Sequence, residues 1–110
     1  MKRSRFEAFK QAMNEIGVTG MTVSQVVGCG MQMGQSDMYR GSQIDVNLLP
    51  KIKVEIVVAK VPVETVVNKA REVLYTGHIG DGKIFVYDVR NVIKVRTGEV
   101  DYDAMQGATE

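Results

Sequence analysis

Gly77-His78-Ile79-Gly80-Asp81-Gly82-Lys83-Ile84 is the stretch whose reading decides the fold. It falls one residue short of the phosphate-loop pattern G-x-x-x-x-G-K-[ST]. In that motif a strand runs into a helix, so that the helix N-terminus faces the anion. Here a helical pattern precedes the glycines and a strand pattern follows them. Ile84 also stands where a magnesium-binding hydroxyl would be. The stretch is therefore not a P-loop. Two readings stay open: a nest of inward-turned N–H groups around Asp81 with Lys83 as its cation, or a plain turn between helix and strand.

Outward from this stretch the pattern is regular on both sides. Upstream, Pro62 suits the first position of a helix. Val63, Val66, Val67, Ala70 and Leu74 give that helix an apolar stripe, and Gly77 ends it. Downstream, strands are predicted over 83–89 and 92–97, followed by a polar tail from about residue 98. Lys94 and Arg96, two apart on the last strand, then share one face, either as a cationic patch or as ordinary solvated charges. Further upstream, residues 52–59 read as a strand with Ile52, Val54, Ile56 and Val58 on one face and Lys53 and Glu55 on the other. Residues 28–49 lose all periodicity, a loop of roughly 20 residues, which in a compact domain is usually functional or disordered. Before it, residues 20–27 read as a strand. Residues 5–16 read as a helix with Phe6, Phe9, Met13 and Ile16 on one stripe, a Ser4–Glu7 capping box and a stop at Gly17.

The predicted order is helix, strand, long loop, strand, helix, strand, strand. That is an α+β chain close to the ferredoxin-like split βαβ arrangement with an antiparallel sheet. The strand expected before the first helix is not legible. Either the start is truncated or misassigned, or another segment fills the gap; truncation is the reading favoured here.

The composition narrows the functional classes. At 110 residues, with 45% apolar and 25% charged side chains, the chain reads as one soluble domain over 1–110. A net charge of +1 offers no broad basic field to nucleic acid or an anionic membrane. The absence of Trp and the 6% aromatic content argue against a base-stacking surface. Cys29 is the only cysteine, which fits a reducing compartment and excludes an internal disulfide framework. No signal peptide is legible, and the apolar run Ile56-Val57-Val58-Ala59 is far too short to cross a bilayer. A cytoplasmic location follows as the expectation. His78 and Cys29 have no partner motif for catalysis; they are expected as a partly exposed helix-end residue and a packed strand-end residue. Gly28-Cys29-Gly30-Met31-Gln32-Met33-Gly34 is not the dinucleotide fingerprint, since its spacing is wrong and no helix follows.

Six stretches carry a family resemblance. They are Gly20-Met21-Thr22-Val23, Gly28-x-Gly30-x-Gln32-x-Gly34, Tyr39-Arg40-Gly41, Leu49-Pro50-Lys51-x-Lys53-x-Glu55, the run from Thr76 through Gly80-Asp81-Gly82-Lys83 to Val86, and Arg96-Thr97-Gly98-Glu99. In order and spacing they resemble the PII signal-transduction proteins of nitrogen regulation, over essentially the whole chain. The resemblance implies a homotrimer of ferredoxin-like subunits with ATP or ADP in the clefts between neighbours, and 2-oxoglutarate beside ATP with Mg2+. It places Gly80, Asp81, Gly82 and Lys83 on the phosphates, with Lys94 and Arg96 reaching from the last strand. Thr22, Gly28 and Glu55 fall at base and ribose, and Gly30 near the phosphates. Gln32 matches the magnesium ligand, whose carboxamide oxygen suits a hard cation. Gln32, Gly34 and Lys51 together match the 2-oxoglutarate site. Residues 33–49 become the T-loop that docks on targets. Tyr39 and Arg40 lie at its partner-binding tip, Arg40 matching the arginine that enters ammonium-transporter pores.

The departures from the family are specific. Ile44 replaces the loop tyrosine that accepts uridylylation in many relatives, and has no hydroxyl to modify. Ser42 occupies a position phosphorylated in others. Met31 and Met33 stand where many relatives carry cations beside the phosphates, and Lys94 replaces an arginine. Three functional classes follow: a nitrogen- and energy-status sensor acting on an ammonium transporter or another nitrogen-metabolism target, a nucleotide-insensitive interaction module of the same fold, and a slow ATPase. No dedicated general base supports the third, so a regulator rather than an enzyme is expected.

Overall fold

A computed structural model describes residues 1–32 and 45–105, with no side-chain description for residues 30–32 and 45–47. The element order is a 3-10 turn (Arg3–Arg5), α1 (Phe6–Glu15), β1 (Thr22–Gln32), β2 (Asp45–Glu55), α2 (Val63–Leu74) and a short α3 (Asp101–Ala104). The chain is α+β, as expected.

Both long helices turn most of the stripe read from the sequence inward, although Val63 at the start of α2 is exposed. Phe9, Met13 and Val18 join Ala70 in a buried cluster, with Val54, Ile56, Val58, Val66 and Leu74 packed against it. The start of α1 differs from expectation. Ser4 lies in the 3-10 turn and Arg5 is the N-cap, with no side-chain cap bond, so the capping box does not form. Pro62 is the N-cap of α2 rather than its first residue, and its carbonyl accepts from Thr65 and Val66.

β1 and β2 form an antiparallel pair from Thr22↔Glu55 to Gln32↔Asp45. The pairing carries both strands into the stretch read as loop, because a cross-strand ladder outweighs the weak strand preference of Gly28 and Gly30. The loop over 28–49 is thus shorter than expected: residues 45–49 belong to β2, and the remainder, 33–44, lies outside the described residues. β2 in turn stops at Glu55, short of the predicted 59, because its partner strand begins at Thr22. Pro50 sits within β2 opposite Val27. Ile52 turns its N–H and C=O away from β1 and exchanges both with Met1, each at 2.8 Å. Pro50 shares that parity, so its missing donor falls on the outer edge, where a proline is tolerated.

Along that outer edge Lys2 bridges Lys51. The first two residues therefore begin a third row on β2, and Val54, Ile56 and Val58 continue the edge beyond them. The strands predicted over 83–89 and 92–97 are not realised. Among the described residues the sheet has two strands, and no backbone hydrogen bond is recorded for 83–90. Residues 92–100 instead fold back on themselves. Lys94 receives the N–H of Gly98 (2.7 Å) and donates its own to Glu99 (2.8 Å), and Ile93 bridges Val100. The tail is also not wholly irregular, since α3 follows directly.

Candidate nucleotide site

α2 ends at Leu74 and Tyr75 turns extended, so the next amides have no helical acceptor. Asp81 supplies one. Its carboxylate accepts from the backbone of Thr76 (2.8 Å), the backbone of Gly77 (3.1 Å) and the Thr76 hydroxyl. The Thr76 hydroxyl oxygen in turn receives the N–H of His78 at 3.2 Å. Within this small ring Gly77 (φ 84°) and Gly80 (106°) take positive φ, as does Gly82 (107°) just after it, which side chains other than hydrogen resist. The hydroxyl of Thr76 first, then its amide, hold the Asp81 carboxyl down to about 2, and Lys2 at 3.7 Å adds a favourable charge. The carboxylate of Asp81 is therefore engaged with its own loop.

The opposite side of the loop is held by β2. Lys51 Nζ donates to the carbonyl of Gly80 at 3.0 Å. It reaches there by lying across Gly28, where a Cβ would stand 2.9 Å from Lys51 Cγ. Gly82 faces the Met1 backbone, where a Cβ would stand 3.6 Å from the Met1 nitrogen and Cα, and Gly80 lies beside Lys2. Gly28, Lys51, Gly80, Asp81 and Gly82 thus converge, with Lys83 exposed on the rim. Met1 and Lys2 belong to the same cluster. Sequence reading missed them, since only the basic character of the first residues hinted at it.

A second set gathers elsewhere. Thr22 and Glu55 are cross-strand partners. With Met21, Val57, Lys60 and Met105 they line a groove of about 850 Å³, within the size range of small-molecule sites. Gly28 lies six positions along β1 from Thr22, about 20 Å of strand. Residues 80–83 do not line this groove. Lys94 and Arg96 form a third group. The tight turn takes them off a shared strand face, with Lys94 3.6 Å from Glu99 and Arg96 exposed at the turn. Glu99 is pulled below its ordinary carboxylate value by the Thr97 hydroxyl and then by Lys94.

The remaining expected residues divide simply. Gly30 and Gln32 pair with Asn47 and Asp45 in the ladder. Gly34, Tyr39, Arg40 and Ser42 lie outside the described residues. His78 is exposed. Cys29 is exposed within β1 rather than packed, because the ladder runs on past it and leaves its side chain uncovered. Among the described residues no cluster of three or more His, Cys, Asp or Glu could hold a metal ion, and no helix is long and apolar enough to cross a membrane.

Known proteins resemble this chain in sequence and in fold. The family described as Nitrogen regulatory protein P-II matches residues 1–99. The chain is 49% identical over 102 residues to a nitrogen regulatory PII-like protein of Bacillus subtilis, covering 93% of this chain and 88% of that one. It is 48% identical over 101 residues to nitrogen regulatory protein P-II 1 of Escherichia coli, covering 92% and 90%. Among solved structures, B. subtilis GlnK superposes with a TM-score of 0.82 at 48% identity, covering 94% of this chain and 91% of that one. A B. subtilis GlnK–ATP complex gives 0.81 at 45% identity, covering 94% and 88%. On this evidence the chain belongs to the P-II family of nitrogen regulatory proteins.

Proposed function

We propose that this chain senses nitrogen and energy status by binding ATP or ADP, and that it passes the signal to a target protein through its T-loop. The observation that carries the reading is the loop 76–83, closed by Asp81 and tethered by Lys51. Its preset glycines leave backbone N–H groups and Lys83 available to phosphate at little further ordering cost. Support for the ligand comes from the GlnK–ATP complex, a close structural relative.

In this reading Gly80, Gly82 and Lys83 meet the phosphates, with Gly30 beside them. Thr22, Gly28 and Glu55 serve base and ribose. The 20 Å of strand between Thr22 and Gly28 favours a cleft completed by a neighbouring copy, whose Lys94 and Arg96 then approach the phosphates. A homotrimer supplies such clefts. Gln32 would give Mg2+ a carboxamide oxygen while ATP and 2-oxoglutarate supply others, which suits a cation that keeps few protein ligands. Gly34 and Lys51 would complete the 2-oxoglutarate site. The T-loop would span about 33–49, with its last residues, 45–49, lying in β2. Tyr39 and Arg40 would dock on an ammonium transporter or another nitrogen-metabolism protein, drawing a cytoplasmic regulator to the membrane in the first case. Ser42 is the one hydroxyl placed for modification there by family position.

Calorimetry decides among the classes. ATP binding strengthened by 2-oxoglutarate with Mg2+ is the expected result, and the absence of any nucleotide binding would leave only the interaction module. Sustained ATP turnover above about one per second, the low end for enzymes, would favour the ATPase.

A further inference from the structure

We infer that Asp81 is a positioning residue for nucleotide binding, acting through Thr76 and Gly77 rather than by touching phosphate or Mg2+. The inference rests on the reading of 80–83 as the phosphate-binding segment.

The geometry leaves the carboxylate little else to do. One oxygen takes both backbone N–H groups and the other takes the Thr76 hydroxyl. Lys2 closes the arrangement at 3.7 Å. These bonds join the end of α2 to the middle of the glycine loop, so they fix where Gly80 and Gly82 present their backbone. On the far side Lys51 fixes the Gly80 carbonyl. The loop is thus pinned at both ends, once by an anion and once by a cation.

The chemistry predicts a sign that separates this role from a ligand-facing one. A bare carboxylate beside a polyphosphate repels it, so removing the charge of a ligand-facing Asp81 should tighten ATP binding. A carboxylate that ligates Mg2+ should matter only when Mg2+ is present. A positioning carboxylate behaves differently. Asn at 81 keeps one acceptor oxygen for the two backbone N–H groups but turns an uncharged NH2 towards the Thr76 hydroxyl, so every charge-assisted bond is lost, the loop loosens and binding weakens with or without the metal.

The test uses the full chain and the variants Asp81→Asn, Thr76→Val and Thr76→Ser. ATP affinity is measured by calorimetry in EDTA and in Mg2+. The Asp81 carboxyl is titrated by 13C NMR, and amide exchange at Thr76 and Gly77 is followed without ligand. Asp81→Asn and Thr76→Val should each weaken ATP binding by about five- to tenfold in both conditions, the size expected for the net worth of one hydrogen bond. Thr76→Ser, which keeps the hydroxyl, should bind like the parent. The double variant Asp81→Asn with Thr76→Val should be no weaker than Asp81→Asn alone, because both act through one contact. In Thr76→Val the Asp81 carboxyl should titrate closer to an ordinary aspartate, since the Thr76 hydroxyl is the first cause of its depression.

ATP binding by Asp81→Asn that is unchanged or tighter overturns the inference, as does a loss confined to Mg2+. If the parent chain itself binds no ATP, the functional reading fails separately, and the exchange data still judge the loop. Faster exchange at Thr76 and Gly77 in Asp81→Asn supports positioning, and unchanged exchange refutes it.

Discussion

At Gly28 a methyl group would stand 2.9 Å from Cγ of Lys51, too close for either atom to remain in place. Gly28→Ala should therefore swing Lys51 off the Gly80 carbonyl. The expected outcome is faster acylation of Lys51 by an amine-reactive reagent, read by mass spectrometry, together with weaker ATP binding. Met1 makes a second prediction at this scale. Burial, and then repulsion from Lys51, hold its amine below the ordinary value of 8.0. Folding thus disfavours the charged form, so stability should rise as pH climbs through the folded-state value towards 8.0 and level off above it. Denaturant midpoints between about pH 7 and about pH 9 check this, and Nα-acetylation should abolish the slope while keeping the N–H that bonds Ile52. Gly80, Gly82 and Lys83 were legible because the motif names them in sequence. The inward turn of Asp81 was not, since it depends on α2 stopping at Leu74. The Lys51–Gly80 tether joins residues 29 apart, beyond any local pattern.

Helices and strands differed in how far local pattern could specify them. The stripes of α1 and α2 follow from 3.6-residue periodicity, and they bury Phe9, Met13 and Ala70 as read. Met13 is fully buried, so Met13→Ala should cost about 2–5 kcal/mol in equilibrium unfolding. What ties the two helices together was not readable. The Arg5 guanidinium, from the turn ahead of α1, donates to the carbonyl of Val73 in the last turn of α2, where a cation also meets the negative end of the helix. Arg5→Met should keep much of the stem packing and lose about 1–2 kcal/mol, measured by urea titration. Strands depend on partners that periodicity does not supply. β1 and β2 ran longer than their apolar patterns into the glycine-rich stretch because each had the other. Residues 83–89 carry a strong strand pattern but pair with no backbone among the described residues, while 92–97 were diverted into a turn at Gly98.

The unpaired stretch matters most for the molecule as a whole. Phe85, Val86 and Tyr87 are 60–79% exposed, and Val95 is 98% exposed. So much exposed apolar surface marks an interaction face, which the proposed homotrimer would cover with other copies. Phe85→Glu should therefore shift sedimentation from oligomer towards monomer, with amides over 83–90 exchanging faster as dissociation proceeds. The family assignment was legible across the entire chain, because six short motifs kept their order and spacing, whereas the division of the candidate site into separated groups required coordinates. One detail near the chain's first atom has a practical side. Since Met1 and Ile52 exchange both backbone bonds, the first residue behaves as sheet rather than as tail. Enzymatic removal of that methionine, or a purification handle fused before it, is then a change to the architecture: a leader with strand-forming residues would be led along Val54 and Ile56, and one opening with proline would be turned away.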